Sequence, residues 1–149
     1  MLEWTISAGG GCQRIRFKGA ITEACSFDEL DIAGDRVVLV TDGVRYVNST
    51  GLQRLWQFIE PLRTHCHIVI ERCSPAIVAQ LNMMPALADC VEVMSLIAPL
   101  ECVDCIAEMD VLLPIAGSCA PDVPARRCEV CGGDMVLAEQ RERYFAFLG

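Results

Sequence analysis

The chain has 149 residues, 53% of them hydrophobic and 21% charged, with a formal net charge of −8. That apolar share is enough to build a core and excludes wholesale disorder. The acid splits as 11 acidic against 8 basic residues up to residue 98, net −3, and 9 against 4 beyond it, net −5. Neither part is net basic, which disfavours binding to nucleic-acid backbones or to an anionic membrane surface.

The opening residues, Met1-Leu2-Glu3-Trp4-Thr5, lack the basic region and apolar core of a secretory leader. No apolar run reaches the roughly 18–20 residues that a bilayer requires. A cytoplasmic protein without a membrane partner is the expectation.

A strand is plausible within residues 2–7, and residues 13–20 alternate polar and apolar with the period of a half-buried strand. Ser26 followed by Glu29 has the spacing of a capping box, which predicts a short helix within residues 21–35. Arg36-Val37-Val38-Leu39-Val40-Thr41 is a continuous β-branched run, as in a central strand covered on both faces, and Asp42-Gly43 supplies a turn after it. Asn48 or Ser49 then serves as N-cap of a helix running to about Arg63. Its apolar stripe is Leu52, Leu55, Trp56, Ile59 and Leu62.

His67–Glu71 reads as another buried strand. Ser74 with Pro75 opens a second helix whose inward face is Ile77, Val78 and Leu81, and residues 91–97 read as the last strand of the sheet. This alternation defines an α/β fold, a sheet with helices packed on it. The composition shifts near Pro99. Strand-like runs at 109–115 and 135–137 flank a Gly/Ser/Pro-rich link at 116–125, and an aromatic end follows at 144–148. That end is expected to dock on its own molecule or within a homodimer, since an exposed aromatic cluster is costly.

Val37 to Leu52, with Asn48-Ser49-Thr50-Gly51-Leu52 opening a helix, resembles the signature of STAS domains, the anti-sigma-factor-antagonist family. Cys73-Ser74-Pro75-Ala76-Ile77-Val78 resembles a second strand-to-helix step of that family. The resemblance covers roughly residues 2–97 and implies a STAS-like domain at 1–98, a mixed sheet backed by helices. It also implies a regulatory role: an anti-sigma factor that is also a serine kinase phosphorylates the motif serine, here Ser49, and binds the unmodified form. Asn48, Thr50 and Gly51 complete the motif. Asn48 stands where the family carries an aspartate, and Gly51 lacks a side chain that would keep a partner away. Read from the residues alone, Ser49 is equally an N-cap.

The ten cysteines fall into two kinds. Cys12, Cys25, Cys66, Cys73, Cys90 and Cys119 lie among apolar neighbours, where a free thiol behaves as a small hydrophobe. Cys102, Cys105, Cys128 and Cys131 form two Cys-x-x-Cys pairs separated by 22 residues. Two such knuckles on neighbouring hairpins make a tetrahedral four-sulfur set suited to Zn²⁺. Residues 99–149 thus resemble a zinc ribbon: a small β-rich appendage with one structural zinc per chain, since so short a tail buries little surface by itself. A redox dithiol and unligated cysteines are the alternatives.

His65 and His67 flank Cys66 at a strand start and read as surface residues before ligands. No phosphate-binding glycine loop, HExxH or acid/base pair marks an enzyme. A regulatory protein-interaction module is therefore the expectation, with a small-ligand-sensing STAS module or a ribbon protein associated with nucleic acid as the alternatives.

Overall fold

The structure is a computed structural model that describes residues 1–149. Strands β1 (Glu3–Gly9) and β2 (Cys12–Ile21) form a hairpin closed by Gly10 and Gly11, with φ of 60° and 77°. Two consecutive left-handed residues are what a tight hairpin turn demands, and glycine adopts them without steric cost. β2 then pairs in parallel with β3 (Arg36–Val47), β3 with β4 (His67–Glu71), and β4 with the short β5 (Glu92–Val93). The result is a mixed five-stranded sheet in the order β1-β2-β3-β4-β5.

Helices α1 (Ser49–Leu62), α2 (Pro75–Met83) and α3 (Pro85–Cys90) supply Leu55, Ile59, Ile77, Val78, Leu81 and Leu87 to the same core as Ile15, Val37, Leu39, Ile68 and Ile70 of the strands. Alternation along β3 and β4 sends Val38, Val40 and Val69 to the opposite face, where they form a separate cluster joined only by Cys12. The expected two-sided cover over β3 is therefore half right. One face lies under helices. The other is roofed by long charged side chains: Arg14 pairs with Glu71 at 2.8 Å, and both Arg16 (3.2 Å) and Arg72 (2.8 Å) pair with Asp42. Their stems keep the three valines at most 4% exposed.

Three expectations fail for reasons that are not local. No helix forms at 21–35. Ser26 accepts the Asp28 amide and closes one turn, after which Phe27 and Leu30 plunge into the core instead. Phe27 stacks on Phe58 of α1 at 5.0 Å and meets Phe17 edge-on at 5.9 Å, so an aromatic plug occupies the place of the helix. Asp42-Gly43 is not a turn, because β3 continues through it to Val47. The β2–β3 register shifts between Arg16 and Lys18, and a Cβ on Gly43 would lie 2.6 Å from the Phe17 carbonyl oxygen, so glycine admits the close passage of two strands at a bulge. The strand expected at 91–97 divides at Met94: β5 ends the first sheet and β6 (Ser95–Cys102) enters a second one.

That second sheet has the order β7-β6-β9-β8, with β7 at Glu108–Pro114, β8 at Arg126–Arg127 and β9 at Asp134–Leu137. Residue 98 falls inside β6, and one hydrophobic core of 33 buried residues runs through both sheets, from Ile15 to Met135. The chain end docks on the same molecule. In α4 (Arg141–Tyr144), Tyr144 donates its hydroxyl to the Ile97 carbonyl of β6, and burial drives its phenol above the usual range. Asn82 of α2 donates to the Tyr144 carbonyl and accepts from the Phe147 amide. No helix is long and apolar enough to cross a membrane.

Gly51 is buried at the start of α1, where an added Cβ would overlap the Ile21 carbonyl. The absent side chain serves the protein's own β2 and not a visiting partner, contrary to the sequence reading. Gly51→Ala should cost about 3 kcal/mol in urea unfolding. Gly9→Ala, with nothing within 4 Å of its Cβ, should cost less than about 0.5 kcal/mol.

Candidate metal centre

The second sheet places its cysteines through two hairpin ends. β6 carries Cys102 as its last residue, and the β6–β7 turn holds Cys105. The β8–β9 turn holds Cys128 and Cys131. Antiparallel pairing of β6 with β9, with Cys102 opposite Met135, brings the two turns together. Spacing within each Cys-x-x-Cys is set by the covalent chain, whereas spacing between the pairs is set by this ladder.

All four sulfurs lie within 4.8 Å of one another. The Cys102 and Cys131 sulfurs are 3.4 Å apart, and those of Cys105 and Cys128 are 3.6 Å apart. A tetrahedron with its corners about 2.3 Å from a central ion has edges of about 3.8 Å. The sulfur set therefore has the size of a four-coordinate metal site.

Each sulfur also receives one backbone N–H from the residue two positions on: Asp104 to Cys102, Ala107 to Cys105, Val130 to Cys128 and Gly133 to Cys131, all at 3.4 Å. These four amides aim their positive ends at the sulfurs, an arrangement that favours thiolates. Gly132, at φ 76°, turns the chain so that the last of them points inward, and its own amide returns to the Cys128 carbonyl at 2.9 Å. The donor residues were not singled out in the sequence reading, yet their spacing is implicit in any Cys-x-x-Cys knuckle.

Without a cation the four thiols compete for charge. Amides of Cys131 and Val130 bring the Cys128 thiol down to about 7. The Gly133 amide pulls on Cys131 too, but its sulfur neighbours, Cys102 first, outweigh that pull and push it up to about 12. Cys105 is also raised: the Ala107 amide lowers it, and desolvation with the Cys102 and Cys128 sulfurs overrides the amide. One negative charge is welcome among these sulfurs and further ones are resisted. A bound divalent cation would remove that conflict. Cys102 and Cys128 are buried, Cys105 is half-buried and Cys131 is exposed, so an ion has one open approach.

The other cysteines stay outside this set. Cys25, Cys66 and Cys73 are buried, and burial pushes Cys73 up to about 12. Cys119 is exposed, unlike the apolar role expected of it. His65 contacts the Thr64 hydroxyl and His67 pairs with Glu92 at 2.7 Å, so neither joins the sulfurs.

The motif serine lies elsewhere, at the start of α1. Asn48 is the N-cap: its side-chain oxygen accepts from Gly51 N at 2.8 Å, and its amide group donates to Glu23 at 2.6 Å. Ser49 and Thr50 are exposed on the first turn, and the Ser49 hydroxyl makes no hydrogen bond within the chain.

No protein-family model matches the chain, and a search of curated proteins finds no significant relative. The geometry of the two sites therefore carries the functional argument.

Metal binding should displace protons, because the neighbouring sulfurs raise the Cys105 and Cys131 thiols and so hold their protons at neutral pH. Calorimetric titration with Zn²⁺ in buffers of different ionisation enthalpy should show at least about two protons released per chain, with affinity falling as pH is lowered. Cys128→Ser should weaken retention at least about tenfold.

Proposed function

We propose that this chain is a regulatory protein-interaction module of the STAS type, whose residues 99–149 form a zinc-ribbon-like region holding one structural Zn²⁺. The mixed sheet with its helices gathered on one face is compatible with the first half of that reading. Four cysteine sulfurs at tetrahedral spacing support the second. A four-sulfur set takes zinc or iron, and with every position filled by protein it leaves no coordination site for a substrate. This favours a structural ion over a catalytic one, within the proposal of a non-enzymatic, cytoplasmic protein.

The observation that carries the regulatory reading is the division of labour between Asn48 and Ser49. Asn48 supplies the cap, so the helix does not need the Ser49 hydroxyl, which stands free at the first position of a 14-residue helix. A phosphate there would add about −1.5 to −2 charges where backbone amides tolerate an anion. Glu23 is already ionised beside it, held below the usual carboxylate range by the Asn48 amide. A protein docked over this turn would meet a strongly negative group in place of a hydroxyl, and the fold would not have to change. The partner proposed is the serine kinase that modifies Ser49 and doubles as an anti-sigma factor.

Two measurements test this. Asn48→Ala should cost about 1 kcal/mol of stability, while Ser49→Ala should change it by less than about 0.5 kcal/mol. In pull-downs from the native host, wild type and Ser49→Ala should capture a serine kinase that Ser49→Asp captures at least about tenfold less. Equal capture by all three would remove the switch.

A further inference from the structure

Between the ends of β3 and β4 and the strands β6 and β7 lies a cleft of about 530 Å³, which no feature of the sequence had indicated. Its size falls within the range of small-molecule sites. Its walls come from separate segments: Arg45 and Asp42 from β3, Arg72 from the turn before α2, Ile97 from β6, and Asp110 with Leu112 from β7.

The charged groups of the cleft are organised. Asp42, whose side chain is only 15% exposed, accepts Arg72 Nε at 2.8 Å and an Arg16 amino group at 3.2 Å. It is saturated by these two cations. Because Arg72 uses Nε for this bond, its two terminal amino groups make no bond within the chain. Arg45 has no ion-pair partner at all, although the chain as a whole carries −8. Two guanidinium groups are thus offered to the cleft, one of them braced by a half-buried carboxylate.

The backbone at Arg72 adds a second argument. Arg72 is the one non-glycine residue of the chain with positive φ, 52°. Glycine or asparagine adopts that conformation readily, whereas a long side chain there carries strain of about 1 kcal/mol. The turn is pinned from β6, since the Arg72 amide donates to the Ser95 hydroxyl at 2.8 Å and Cys73 bridges Leu96. The guanidinium itself is held at the cleft wall by its bond to Asp42.

We infer that this cleft binds a small organic anion whose charged head is forked by Arg72 and Arg45. Guanidinium groups match the paired oxygens of a carboxylate or phosphate. Asp110, on the opposite wall and without an ion pair, calls for a hydroxyl or ammonium group on the ligand's far side, and Ile97 with Leu112 gives the body an apolar bed. The ligand class is a hydroxylated or aminated small anion. The walls of this site do not include Ser49, and its test does not use phosphorylation there.

Amide chemical shifts of the full metal-loaded chain should be followed by NMR during titration with glycerol 3-phosphate and, separately, with L-malate at millimolar concentration. Saturable shifts at Arg72, Ser74 and Asp110 with either compound are expected, and the compound that binds identifies the head as phosphate or carboxylate. Arg72→Gly suits the left-handed backbone, and Arg45→Ala alters an exposed, unpaired side chain, so both should fold; each should weaken binding at least about tenfold. The inference falls if neither compound shifts these amides, or if both variants bind as wild type does.

Discussion

Strand β6 is the member on which both sheets hang. Its first residues are tied to the end of the α/β sheet: Leu96 bridges Cys73, and the Ile97 amide donates to the Cys73 carbonyl at 2.8 Å. Its middle, Ala98 and Leu100, is buried in the shared core, and its last residue is a metal-site cysteine. A small four-stranded sheet has too little interior to stand alone, and here it borrows the interior of its neighbour. The chain end returns to lock the arrangement, with Arg141 stacked over Phe145 at 5.4 Å and Asn82 bonded to the backbone on either side of that ring. What looks like an appendage in sequence is built as a continuation of the first core.

The four-cysteine cluster follows from this arrangement. Two hairpin ends carrying thiols can meet only if β6 and β9 keep their register, because a slip of one residue would turn Cys102 to the other face. The ladder sets the meeting point, and the amides set the charge preference. The cation that would bind there adds cohesion to strands that are otherwise short: β8 has two residues and β9 four. Metal and ladder would stabilise each other, as in small domains where binding energy becomes folding energy.

What could be foreseen from the amino-acid order divides along a physical line. The α1 stripe, the Ser74-Pro75 start of α2 and the sulfur knuckles were legible because each depends on neighbours within about four residues. The passage of β3 through Asp42-Gly43 was not, because it is decided by the Phe17 backbone on the adjacent strand. The helix suggested by Ser26 and Glu29 lost to the burial of Phe27 and Leu30, a tertiary gain that outweighs local propensity. Helix α3 at Pro85–Cys90 went unread, being too short to show a period. The break at Met94 was hidden since a strand pattern does not say which sheet it joins. The arginine-lined cleft was invisible for a stronger reason: its walls come from segments that meet only in the finished fold.

The unequal covering of the α/β sheet has a dynamic consequence. On one face, exposing Val37 or Leu39 means lifting a helix, a cooperative event on the timescale of local unfolding. On the other, Val38, Val40 and Val69 lie beneath arginine stems whose surface ion pairs are each worth no more than about 1 kcal/mol. Rotation of a few side chains uncovers them within nanoseconds, with every backbone bond kept. The same strand therefore presents a slow side and a fast side, and apolar contact with another surface is kinetically open on the fast one alone.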